Sequence, residues 1–226
     1  MKIGFNALER ENGNVLIIVL VAVVLFAGLT AAISSMSRSS QTNLNEEGAE
    51  LKAGELIQTA TNAQARIQQM ISYGSDIGDI DFMPPSDGAF NTPPNIHKAY
   101  HPQGGGLAYR TSLPTNIVNE VSSPPSAGWY AQTNVNVGWS ESATDDIIYT
   151  AYQINKATCE QINKKIVGTT TIPALASSTM AEIFVPGSGD NDLTAAECAA
   201  CEGYPMMCVT DSNGAAYSFY IILASE

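Results

Sequence analysis

Four cysteines, Cys159, Cys198, Cys201 and Cys208, are the residues of this 226-residue chain best suited to covalent or metal chemistry, and all lie in its C-terminal third. An even count in an oxidising compartment reads as two disulfides, with three connectivities open. Local spacing favours one bond from a helix at Cys159 to the segment 198–208, and one within that segment. Zinc would use the same four thiolates, and Cys198-x2-Cys201 is a ligand spacing, but a second Cys-x2-Cys is missing. A redox role would need Cys198-Ala-Ala-Cys201 to follow a strand in a βαβ unit, which the pattern does not provide.

The remaining chemistry-bearing groups are sparse. His97 and His101 have a helical metal-ligand spacing, yet Pro93, Pro94, Pro102 and Gly104 to Gly106 leave no room for a helix there. Gly104-Gly105-Gly106 has no Lys-Ser/Thr after it, so it reads as a flexible loop, not a phosphate cradle. Asp76, Asp79 and Asp81, and separately Asp190 and Asp192, are carboxylates in loops, but neither set follows the Asp-x-Asp-x-Asp-Gly grammar of a calcium loop. No Gly-x-Ser-x-Gly elbow exists. No catalytic residue is expected, and calcium at Asp190 and Asp192 is the sole cofactor candidate.

Charge narrows the partners. With 22 acidic against 10 basic side chains the formal charge is −12, and only Lys164 and Lys165 are adjacent, which argues against nucleic acid and anionic lipid headgroups as partners. Charged residues make up 14% and hydrophobic residues 45%, a balance that argues for a folded body.

These groups need elements to hold them. Val15 to Ile33 reads VLIIVLVAVVLFAGLTAAI, without a charge, and as a helix it would measure about 28 Å, close to the ~30 Å hydrocarbon thickness of a bilayer. The expected organisation is a leader-like cytoplasmic segment over 1–13, a transmembrane helix over 14–33, an amphipathic continuation over 34–73 and a globular body over 74–226. Lys2 and Arg10 ahead of the run, against Arg38 behind it, put the N-terminus in the cytoplasm and the body outside. A cleavable secretory signal is the rival reading, since Ala31-Ala32 and Ser34-Ser35 supply small residues. An ordinary apolar signal core has only about 7 to 15 residues, however, and the chain downstream continues as helix.

No proline occurs before Pro84. Leu51, Leu56, Ile57, Ala60, Ala63, Ile67, Met70 and Ile71 step by three and four into one stripe, opposite Gln58, Thr59, Asn62, Gln64, Arg66, Gln68 and Gln69. After Gly74, Pro84-Pro85, Pro93-Pro94 and Pro124-Pro125 exclude long helices. Strands are expected over Trp129–Trp139 and Ile147–Ile154, followed by a helix over Ala157–Val167 that Gly168 ends. Met206–Thr210 and Ala216–Ala224 form a hairpin about Asn213-Gly214, and the second strand is apolar enough to be central. Thr194-x-x-Glu197 is a capping box for a short helix carrying Cys198 and Cys201.

Gly13 followed by NVLIIVLVAVVLFAGLTAAISSMSRS resembles the N-terminus of type IV pilins and type II secretion pseudopilins. That resemblance implies an α+β, pilin-like fold: a long N-terminal helix, membrane span plus amphipathic half, packed on a small antiparallel sheet with a disulfide-tied C-terminal region. It implies prepilin-peptidase cleavage between Gly13 and Asn14, and assembly with other pilin-like subunits through the N-terminal helix. The body would be periplasmic or on the cell surface, anchored by a single pass in a bacterial inner membrane. The usual mature-chain Glu is replaced by Ile18, which points to a minor, tip-type subunit. Calcium in a C-terminal loop of some pseudopilins adds weight to Asp190 and Asp192. The function expected is a structural subunit of a filament or secretion apparatus. The alternative is a single-pass anchored extracytoplasmic binding domain with no assembly role.

Overall fold

The freedom from proline before residue 84 is realised as α1 (Asn12–Ser72), a helix of 61 residues. Its end is closed by Gly74, at φ 98°, with Ser75 N donating to Met70 O and Gly74 N to Ile71 O. That is the pairing by which a left-handed glycine satisfies the last free carbonyls. The computed structural model describes the backbone of residues 12–225 apart from 124, 141–144, 177–179 and 190–191, and the side chains of these residues apart from 12–18 and 28–45. The chain divides into two compact units, Met1–Glu47 and Gly48–Glu226.

The expected pilin-like architecture with a membrane span over 14–33 is corrected here. Among the described residues no helix is long and apolar enough to cross a membrane. The architecture that stands is a four-stranded antiparallel sheet with helices and two disulfides.

The sheet belongs to the second unit. It is formed by β1 (Gly128–Val135), β2 (Asp146–Ile154), β3 (Met206–Thr210) and β4 (Tyr217–Ala224), in the order β1-β2-β4-β3 with every pair antiparallel. The apolar run YSFYIILA thus lies between two neighbours. Alternation along the strands sends Ile147, Tyr149 and Ala151 of β2 and Phe219, Ile221 and Leu223 of β4 into one core with Leu56, Ala60, Ala63, Ile67 and Met70 of α1. Ile148, Tyr152, Met207, Val209 and Tyr220 form a second core with Ile183 and Phe184 of the short α3 (Met180–Phe184). Every residue of β2 is buried, as both faces of the sheet are covered.

The stripe on α1 differs from its expected form at one end. Leu51 is 76% exposed and Ala53 is fully buried, because the contact face starts one half-turn later. Gln64 and Gln68, expected on the wet face, instead donate from Nε2 to the carbonyls of Ile222 and Leu223 at 2.9 Å each. They tie the helix to the end of β4.

Helix α2 (Lys156–Val167) starts where Asn155 Oδ1 accepts from Thr158 N and stops at Gly168 in the left-handed region. In the hairpin only Gly214 has positive φ, not the Asn213-Gly214 pair. Asp211 closes the loop instead, its carboxylate accepting from Ala215 N at 2.7 Å and Ala216 N at 3.2 Å. β1 ends at Val135, short of the expected Trp139, and beyond it Val137 forms an isolated parallel bridge with Leu193.

Gln153, buried on β2 beside an irregularity in its pairing, takes φ 61°, a conformation glutamine rarely adopts. Its side-chain amide accepts from Val121 N and Ser122 N and donates to Ser122 O and Pro125 O. The turn thereby aims one amide at four backbone groups of the loop ahead of β1.

Burial pushes the hydroxyls of Tyr100, Tyr149 and Tyr220 above the usual tyrosine range, for Tyr149 with repulsion from Tyr100 added and attraction to Arg110 subtracted. The native state holds these protons more tightly than the unfolded chain. Their contribution is therefore complete below about pH 10 and is lost as pH rises above it. Unfolding free energies from urea titrations at about pH 8 to 11.5 should fall above pH 10 by up to roughly 1.4 kcal/mol per pH unit for each of these tyrosines. A flat profile would contradict the burial.

Candidate functional site

All four cysteines are paired. Cys159 of α2 joins Cys208 of β3 across 49 residues of chain, and Cys198 joins Cys201, with Cα–Cα distances of 5.5 and 5.3 Å. No thiolate is left for zinc or nucleophilic work. Thr194 Oγ1 donates to the Glu197 carboxylate at 2.6 Å and accepts from Ala196 N, so the expected capping box forms a turn and not the start of an α-helix. The chain then makes a single 3₁₀ turn, Ala199–Cys201. In such a turn side chains three apart eclipse, which suits the Cys198–Cys201 bond.

One turn beyond Cys159, Asn163 presents its amide to the outer edge of β3. It donates to Cys208 O and accepts from Cys208 N, both at 2.8 Å, standing in for a neighbouring strand. Thr210 continues this closure, donating to Pro173 O and accepting from Leu175 N.

The other residues singled out from sequence are dispersed. Gly13 and Asn14 lie in the first turn of α1, and residues 1–11 of the leader-like segment lie outside the described residues. Of the calcium candidates, Asp190 is outside the described residues, and Asp192 accepts from Asn136 N at 3.0 Å. Among the described residues no group of three or more His, Cys, Asp or Glu side chains could hold a metal ion. His97 Nδ1 shares a hydrogen bond with Ser75 Oγ, while His101 Nδ1 accepts from Gln103 N and its ring lies 5.0 Å from that of Phe90. Gly104 and Gly105 are packed, not a free loop, and only Gly106 faces open space: a Cβ on Gly104 would collide with the carbonyl of Lys98, and one on Gly105 would come within 2.6 Å of Ala99 O.

Sequence reading missed Lys98. It is 6% exposed, and its Nζ donates to the carbonyls of Ala89, Phe90 and Thr92 and to Asn95 Oδ1. An isolated lysine among prolines and glycines carries no periodic signal that would mark it as interior.

Among the described residues, the surfaces open to another molecule include the following. In the first unit, Val19, Leu20, Val21, Val23, Val24 and Leu25 are between 49% and 68% exposed. In the second, a cleft of about 470 Å³ is lined by Phe82, Tyr100, Tyr109, Arg110 and Trp129 among others. Beside it, sharing Arg110, a pocket of about 170 Å³ also takes in Arg66 and Tyr149. No protein-family model, curated protein or solved structure matches this chain.

Proposed function

We propose that this chain is a structural subunit of a filament or secretion apparatus of the pilin or pseudopilin kind, working by packing its N-terminal helix against other copies or related subunits. The observation that carries this reading is the exposure of Val19 to Leu25. At 100° per residue these six apolar side chains surround the helix and leave no polar face, so a single docking surface would cover only some of them. Each one buried is worth roughly 1.5–3 kcal/mol, which makes a bundle of like helices the favourable arrangement. The Gly13 junction ahead of the run supports processing to an Asn14 terminus, and two disulfides support a body kept in an oxidising compartment. The reading gives the body an interaction role and no catalytic one.

Single cysteines at Leu20, Val21, Val23, Val24 and Leu25, oxidised in turn, should give disulfide-linked dimers at some positions and not at their neighbours. Val23→Asp, added to a crosslinking single-cysteine variant, should abolish the dimers while leaving the thermal melt of the body unchanged. Mass spectrometry of the chain from cells with an active prepilin peptidase should find Asn14 at the N-terminus. Crosslinking that ignores position, or a terminus left at Met1, would favour the anchored binding domain instead.

A further inference from the structure

The second unit carries 7 basic against 18 acidic side chains, yet both of its arginines, Arg66 and Arg110, line one pocket. No carboxylate lines that pocket, whose other walls include Thr59, Asn62 and Tyr149. Among the described residues, ion pairs join Lys52 to Glu55, Lys156 to Glu160 and Lys165 to Glu50, and neither guanidinium is matched to an acid. Arg66 reaches only Gln69 Oε1, at 3.3 Å. In so acidic a unit, two unmatched guanidinium groups gathered without an acid make a local site for an anion, and the planar fork of arginine matches a carboxylate with two parallel hydrogen bonds.

Arg110 also borders the aromatic cleft. There the rings of Phe82, Tyr100 and Tyr109 meet edge to face in series, at 5.8 and 5.0 Å, and Tyr109 is 44% exposed. Thr111, Ser112 and Ser126 add hydroxyls to the same walls. An exposed tyrosine ring beside threonine and serine residues suits a molecule with an apolar C–H face and a rim of hydroxyl groups, which describes a pyranose ring. An added peptide strand is poorly served, because Trp129 N at this edge already donates to Thr111 O at 3.0 Å. Two cations are also too few to track a nucleic-acid backbone.

We propose that this double cleft binds an acidic saccharide, with Arg66 and Arg110 holding the carboxylate of one sugar and Tyr109 and its neighbours stacking on the next. The site lies wholly in the second unit and does not depend on the assembly reading. The test titrates the full chain, in mild detergent, with a galacturonic acid tetrasaccharide and with its methyl ester, following intrinsic tryptophan fluorescence and calorimetry. The acid form should bind, and the ester, which has the same sugar rings but an uncharged methylated carboxyl, should bind about ten-fold more weakly. Arg66→Gln with Arg110→Gln should reduce affinity for the acid to the level of the ester, whereas Tyr109→Ala should weaken both ligands. Both arginines are exposed, so the melting temperature of that variant should be unchanged, and the ester comparison uses the unmodified chain in any case. The proposal is overturned if the acid shows no binding up to about 10 mM, if the ester binds equally, or if the arginine variant binds as the parent does.

Discussion

Lys98→Met is expected to destabilise the second unit by roughly 3 kcal/mol, seen as a fall in melting temperature of about 10 °C. The methionine keeps the length of the stem and removes the three donors. It leaves the carbonyls of Ala89, Phe90 and Thr92, now grouped around one ammonium, facing one another without a proton between them. Each buried acceptor left unmatched costs about 1–3 kcal/mol, and opening the loop to water recovers part of that. The consequence extends beyond the cage, because Lys98 O accepts from His101 N and Gly105 N, and Asp81 exchanges backbone bonds with His97 and Ala99 on either side. Faster hydrogen exchange at the amides of Ala99, His101 and Gly105 should accompany the loss. Lys52→Met is the control, since Lys52 lies on the surface in a pair with Glu55 and such pairs contribute at most about 1 kcal/mol. Equal melting temperatures for the two variants would show that the Lys98 ammonium holds nothing together.

Removing the two disulfides separately should give unequal losses. The Cys159–Cys208 bond closes a loop of 49 residues, whose entropy in the unfolded chain is worth about 4 kcal/mol, while the three-residue separation of Cys198–Cys201 is worth about 2 kcal/mol. Both pairs are buried, on opposite faces of the sheet, so each double alanine variant also leaves a small void. Urea denaturation of C159A/C208A against C198A/C201A reads the difference directly. Against a typical total of about 5–15 kcal/mol, losing the longer loop brings the body near its threshold, and losing the shorter one does not. If the two variants had equal midpoints, chain entropy would not be the source of the stabilisation. Asn163 tightens the first case further. Its amide holds the edge of β3 next to Cys208, so without the covalent bond the helix that carries Asn163 is free to drift from the strand it caps.

The amino-acid sequence alone determined whatever depends on near neighbours along the chain. The continuity of α1 comes from the absence of proline, the start and stop of α2 from Asn155 and Gly168, and the central place of β4 from an unbroken apolar run. The cysteine positions required one bond from the helix and one within the segment beyond it, which all three connectivities satisfy, and the fold selected Cys159–Cys208 with Cys198–Cys201. Tertiary structure decided whatever involves groups far apart in sequence. Gln64 meets Ile222 across 158 residues, and Gln153 meets Ser122 across 31, so neither partner is visible from local periodicity. The exposure of Leu51 and burial of Ala53 depend on where the sheet begins beneath the helix. Lys98 became interior because a loop wrapped three carbonyls around it, and Arg66 met Arg110 because α1 runs beside the segment that precedes β1. The membrane span was read from hydropathy alone, and hydropathy reports what a segment avoids, water, without saying whether lipid or another helix replaces it.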